Sequence, residues 1–104
     1  MSTRKAKVAW AAGIIEGEGW VGFGRNRGRI DPKISVGQKA NSLMLLRLKE
    51  LWGGNICRHS EGVLMWAVSN RLAEAAAKEL LACSMFQGPK REAAESVVSY
   101  YRDK

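Results

Sequence analysis

Cysteine, proline and histidine are scarce in this 104-residue sequence, at two, two and one residues. Cys57 and Cys83 lie far apart in apolar surroundings. Two such thiols build no disulfide framework, and with a single histidine they give no zinc signature, so both are expected as small core residues. Long apolar runs are missing as well. None reaches the roughly 20 residues of a membrane span, and the opening MSTRKAKVAW lacks the apolar centre of a secretory signal. The expectation is an intracellular protein, cytoplasmic or organellar, not secreted and without a membrane partner. Acidic residues are the other shortage: ten Asp+Glu stand against 17 Lys+Arg, for a net charge of +7. On so short a chain that excess favours a polyanionic partner, nucleic acid above all, although charge alone also allows a basic protein with no such partner.

What is present reads as one folded domain over residues 1–104. Hydrophobic residues make up 46% of the chain and no tract is of low complexity, but the core is small enough that subunit association would add useful buried area. A first helix is expected after Thr3, a suitable N-cap, running through KAKVAWAAGIIEG. Ala9, Gly13 and Gly17 recur in it every fourth position and form one stripe. Two glycines inside a helix cost roughly 1 kcal/mol each against alanine, and close approach of another backbone is the usual compensation. WVGFGRNR then reads as a strand, with Gly28 at a turn. RIDPKISVGQK alternates, with Ile30, Pro32, Ile34 and Val36 on one face and Asp31, Lys33, Ser35 and Gly37 on the other. Asn41 is expected to cap an amphipathic helix, SLMLLRLKELW, closed by Gly53-Gly54. NICRHS and VLMWAVS form a second hairpin around Glu61-Gly62. Two helices follow: RLAEAAAKELLACSMF, capped by Asn70, and PKREAAESVVSYYRD, with Pro89 at its first position. The order αββαββαα points to an α+β fold in which one mixed four-stranded sheet carries helices on one face and leaves the other open.

The acidic pair Glu16 and Glu18 ends the first helix in AAGIIEGEG. Read as isolated charges, two carboxylates at a helix terminus would simply be solvated. A carboxylate with nearby backbone carbonyls is also a hard-oxygen donor set suited to Mg²⁺, or to a similar divalent cation such as Mn²⁺. One carboxylate from each of two helices brought together by the glycine stripe would make a shared site.

AAGIIEGEG resembles the signature of the LAGLIDADG homing endonucleases. Eight of its nine positions carry an identical or similar residue, the departure being Ala11 in place of the usual leucine. The element order and the stretch ISVGQKANSLMLLRLKELWGG resemble one subunit of that family. The resemblance implies metal binding by Glu18, helped by the Gly19 carbonyl, with Glu16 in a supporting role at the helix end. It implies a polar water-positioning residue at Gln38 with Lys39 beside it, and a basic residue supporting transition-state charge at Lys90, or at Arg91 one register away. A chain with a single motif implies a homodimer joined through Ala9, Gly13 and Gly17, with no small-molecule cofactor. Such a dimer would cut a roughly palindromic double-stranded DNA target, leaving short 3′ overhangs, in the homing of an intron or intein. The rival reading is a catalytically silent DNA- or RNA-binding protein on the same fold, a regulator or a splicing maturase.

Strand alternation places the candidate DNA contacts. Asn26, Arg29, Asp31, Lys33 and Ser35, with the smaller Gly22, Gly24 and Gly37, share the face turned away from the helices. Arg58, Ser60 and Met65 are expected to join them from the second hairpin, while Arg25 and Arg27 flank the first hairpin tip and would meet phosphates. A strand of about ten residues spans roughly 33 Å, so one subunit would read a half-site of about ten base pairs. Of the four tryptophans, Trp52 and Trp66 fit core positions and Trp10 packs beside the first helix. Trp20 is left open, since its parity puts it with the DNA-facing set and its size argues for cover. His59 is expected to be exposed near a turn.

Overall fold

The computed structural model describes residues 3–39 and 43–102. The elements are α1 (Arg4–Glu18), β1 (Gly19–Asn26), β2 (Arg29–Lys39), α2 (Leu43–Trp52), β3 (Asn55–Ser60), β4 (Val63–Ser69), α3 (Asn70–Ala82) and α4 (Pro89–Arg102). The α+β order is the expected one. The sheet runs β1-β2-β4-β3, and all three pairings are antiparallel. The sheet is therefore not mixed. The α2 crossover carries the chain past β2 to the far edge, and β4 returns between β2 and β3, so no strand acquires a parallel neighbour.

Local chemistry explains most boundaries. The Thr3 hydroxyl accepts from Ala6 N–H at 3.1 Å and starts α1. At the other end α1 passes directly into β1. A Cβ on Gly19 would stand 2.8 Å from Ile15 Cα and 2.9 Å from its carbonyl oxygen, so the junction requires glycine for space. Arg27 and Gly28 both have positive φ (52° and 80°), which makes the two-residue β1–β2 connection a turn of the primed kind that suits a twisted hairpin. Gly88 (φ 89°) breaks the chain before Pro89, which opens α4 as expected.

Two helix ends differ from the sequence expectation. α3 stops at Ala82, where Cys83 N–H bonds Leu80 O, and Phe86 instead turns inward to be fully buried. Asn70 does not cap α3; it is the first residue of the helix, with φ 56°, and Ser69 holds the cap position without a side-chain bond. The proposed cap Asn41 lies outside the described residues.

The helices cover one face of the sheet. Ile15 of α1, Ile34 and Val36 of β2, Leu45 and Leu48 of α2, Trp66 and Val68 of β4, Leu80 of α3 and Val97 of α4 form a contiguous core, all under 2% exposed. Trp52 and Trp66 stack with centroids 6.2 Å apart, and the buried Trp66 indole donates to Gly53 O at 2.9 Å. Ile30, assigned to the apolar face, is 51% exposed because the hairpin tip runs out beyond the helix layer. Cys57, expected in the core, is exposed on edge strand β3, and Cys83 is half-buried; both are free thiols.

Glu79 ties three helices together. It accepts from Arg4 Nε and Nη2 at 2.8 and 2.6 Å and from the Trp52 indole at 2.9 Å. The hydrogen bond from Arg4 leads the effects that hold its carboxyl below the ordinary carboxylate range, against a smaller opposing effect of burial. A depressed folded pKa contributes stability that is fully present above the unfolded value and is lost as pH falls through the folded one. Glu79→Gln is accordingly expected to lower the unfolding free energy measured with urea at pH 7 by no more than about 1 kcal/mol, because the pair is partly solvated. The difference should close on acidification below about pH 4. A penalty that persisted undiminished at acid pH would assign the effect to packing.

Candidate functional site

The site is built at the C-terminal end of α1. Glu18, its last residue, is exposed. Gln38, near the end of β2, is half-buried and donates from Nε2 to Glu18 Oε2 at 2.8 Å. The register pairs Gln38 with Leu64, on the side of the sheet facing α1, and this parity brings the amide to the carboxylate. Lys90, in the first turn of α4, donates from Nζ to the Ile15 and Glu16 carbonyls at 2.9 and 2.7 Å. It thus places a cation where the helix dipole leaves partial negative charge. Arg91 points elsewhere: its guanidinium donates to Phe86 O and Leu81 O at 2.8 and 3.1 Å. Glu16 turns the other way from Glu18, and its carboxylate accepts from the Gln87 backbone N–H. The two acids thus point to different tasks, one clasping the loop before α4 and one standing open at the helix end.

The helix end gathers oxygen donors of the kind a divalent cation takes. The Glu18 carboxylate, the Gln38 amide oxygen and the Gly19 carbonyl are hard oxygens at one helix end. Among the described residues, no group of three or more His, Cys, Asp and Glu is placed to hold a metal ion. One carboxylate per chain suits a cation such as Mg²⁺, which takes one or two carboxylates and fills its shell with water and phosphate oxygens.

On the far side of α1 the stripe of Ala9, Gly13 and Gly17 is exposed. A Cβ added at Gly13 or Gly17 would meet nothing within 4 Å, so no packing within the chain calls for glycine there. Trp10, on the same helix, is 37% exposed.

The open face of the sheet carries the other candidates, with corrections. Trp20, Gly22 and Gly24 of β1 lie opposite Ser35, Lys33 and Asp31 of β2, and Asn26 lies opposite Arg29; the Asn26 side chain is outside the described ones. Arg29 and Asp31 pair at 3.5 Å. Lys39 and Arg27 are exposed. Arg25 lies opposite Ile30, so it leaves the hairpin on the helix side. Ser35 is only 6% exposed and presents little to a ligand, because it sits on a central strand beside Trp20. Arg58 does not share a face with Met65. It pairs with Leu64, and Cys57 takes the place opposite Met65. A bulge at His59 then returns Ser60 to the open face opposite Val63, since one extra residue reverses the parity of all that follows. The loop contacts through Gln87 and the exposed apolar surface of Trp20 were not resolved by sequence reasoning; Gly88-Pro89 was the available signal for the former.

By sequence, neither protein-family models nor curated proteins give a match. By structure, solved chains do. The homing endonuclease I-CvuI, crystallised with the I-CreI target in 2 mM Mg with the DNA not cleaved, superposes with a TM-score of 0.79 at 20% identity over 92% of this chain. The fold is that of the homing endonucleases. I-CvuI with its own target in 2 mM Ca gives 0.78 at 19% identity over 92% of this chain. The homing endonuclease I-TnaI gives 0.67 at 16% identity, covering 88% of this chain and 69% of that one. The chain spans 66% of the length of the I-CvuI chains it matches. Within the homing-endonuclease fold, no helix among the described residues is long and apolar enough to cross a membrane.

Proposed function

We propose that this protein is a LAGLIDADG-type homing endonuclease that makes a Mg²⁺-dependent double-strand break in a roughly palindromic DNA target as a homodimer. The observation that carries the reading is the pairing of Glu18 with Gln38 at the end of a helix whose glycine stripe is bare. The helix end offers a single carboxylate, and the stripe offers a surface on which a twin helix could bring the second. The basic charge, the open sheet face and the fold shared with enzymes crystallised on DNA support the same reading. A bound divalent cation would supply activation of water and stabilisation of the leaving oxygen. The chain's own residues hold the rest. Gln38 fixes the Glu18 carboxylate and presents an amide oxygen to water. Lys90 adds positive charge at the α1 terminus, and Glu16 anchors the loop that delivers Lys90.

The deciding experiment selects target duplexes from randomised DNA with the purified protein and incubates them with Mg²⁺ or Mn²⁺. Paired cuts in a two-fold symmetric site are expected. Tight, salt-dependent binding without nicking under any divalent metal would leave the silent DNA-binding reading in its place, and a preference for structured RNA the maturase reading.

The dimer has its own test. The wild-type chain should elute at twice its 11.5 kDa at micromolar concentration, and Gly13→Leu should elute as a monomer. Since nothing lies within 4 Å of a Cβ at this position and leucine is the better helix former, the variant should unfold no more easily than an isolated wild-type protomer. A wild-type chain that stays monomeric, even on DNA, removes the shared site.

A further inference from the structure

Among the described residues, Trp20 is the one large apolar residue that the fold leaves bare on the open face beside the Glu18 end of α1. It is 46% exposed and is the first large side chain on that face after Glu18. The indole does not stand out into solvent. Its Cζ2 and Cη2 lie 3.1 and 3.2 Å from the place a Cβ of Gly22 would occupy, so the ring lies along the strand over that glycine. Ser35, opposite in register, is 6% exposed. A similar arrangement recurs on the same face, where Met65 Cε lies 3.4 Å from the Cβ position of Gly37. Gly22 and Gly37 are therefore seats for apolar side chains, whereas Gly24 lies beside the Lys33 stem, with Cδ 3.5 Å from its Cβ position. The hairpin's polar side chains, Lys33, Asp31 and Arg29, lie farther toward its tip.

An indole held flat in this way loses little freedom when it is covered, and covering it removes apolar area from water. The indole carries no charge to offer a phosphate, so what it presents to a duplex is apolar surface. The apolar features that DNA offers to such a ring are the thymine 5-methyl group and the faces of deoxyribose. We propose that Trp20 is an apolar DNA-contact residue that packs on thymine methyl and deoxyribose next to the scissile region and adds selectivity for thymine there. This rests on the DNA-binding reading given above. An apolar contact releases no counterions, so its contribution is independent of salt, unlike that of a lysine or arginine on phosphate.

The test uses a duplex selected by the wild-type protein from randomised DNA, with binding measured without divalent metal over a range of salt. Trp20→Ala is expected to weaken binding about tenfold with the log–log salt slope unchanged. Exchange of the central thymines for uracil, which removes only the 5-methyl groups, should weaken the wild type and leave Trp20→Ala unaffected. Equal affinities of wild type and variant, or a change of about one unit in the slope, would overturn the proposal while the DNA-binding reading stood. A wild-type protein that binds no duplex overturns both. Should Trp20→Ala fail to fold, wild-type protein labelled with 5-fluorotryptophan and assigned through Trp20→Phe gives the same decision. The Trp20 resonance must shift when duplex is added, and an unmoved resonance rejects the contact.

Discussion

Glu18→Gln is expected to lower cleavage of the selected target at least about a thousandfold while changing duplex affinity by less than about threefold. The exchange is close to isosteric, and a glutamine carbonyl at position 18 still accepts from Gln38 Nε2, the bond that measures 2.8 Å in the wild type. What disappears is the formal negative charge, and with it the single carboxylate each chain offers to a divalent cation. Conversion of supercoiled target plasmid to nicked and linear forms in Mg²⁺ reads the chemistry, and gel mobility in Ca²⁺ reads the binding. Glu16→Gln provides the contrast. Its carboxylate clasps Gln87 N–H, an acceptor role an amide oxygen retains, so most of the cleavage should survive. Comparable loss in both variants would mean that the two acids act as one unit, and comparable survival would remove Glu18 from the chemistry.

The largest effect on stability is expected from Gly54→Ala, in the link between α2 and β3. Gly54 has a φ of 90°, a region that costs other residues of order 1–3 kcal/mol. A Cβ there would also overlap the Ala67 carbonyl oxygen and lie 2.6 Å from Val68 Cγ1. Neither neighbour can move cheaply, since one is backbone of β4, paired on both sides within the sheet, and the other is a β-branched residue 1% exposed in the core. Strain and overlap together should remove at least about 3 kcal/mol, or a fall of about 12 °C or more in melting temperature for a domain of this size. Urea unfolding followed by circular dichroism would measure it. A loss under about 1 kcal/mol would mean that the β3–β4 hairpin can slide away from the end of α2.

Sequence reasoning reached far where the physics is local. Thr3, Gly28, Gly62 and Pro89 mark real boundaries, because each answers a backbone requirement within a few residues. Strand alternation placed Val36, Trp66 and Val68 in the core for the same reason. It failed at β3, where the bulge at His59 inserts a residue that a period of two does not anticipate, so Arg58 and Ser60 part company. Cys57 looked like a core residue by its apolar neighbours, but β3 is an edge strand and the residue lies on its uncovered face. The site was legible as a set of residue types. The resemblance already separated Glu18 from Glu16 and favoured Lys90, but no sequence feature decided between Lys90 and its neighbour Arg91, and only the α4 rotation sends one to α1 and the other to the end of α3.

The clasp between α1 and α4 also bears on the order of events during synthesis. Glu16 is joined to Gln87 across 71 residues, and Lys90 to the Glu16 and Ile15 carbonyls across 74 and 75. Contacts this distant along the chain form late, after the loop between them has closed. A ribosome that has released the chain only as far as Phe86 has already delivered Glu18 and Gln38, yet the end of α1 still lacks both its clasp and its cation. The cutting machinery proposed here would thus be withheld from a growing chain until Gln87 and Lys90 had emerged.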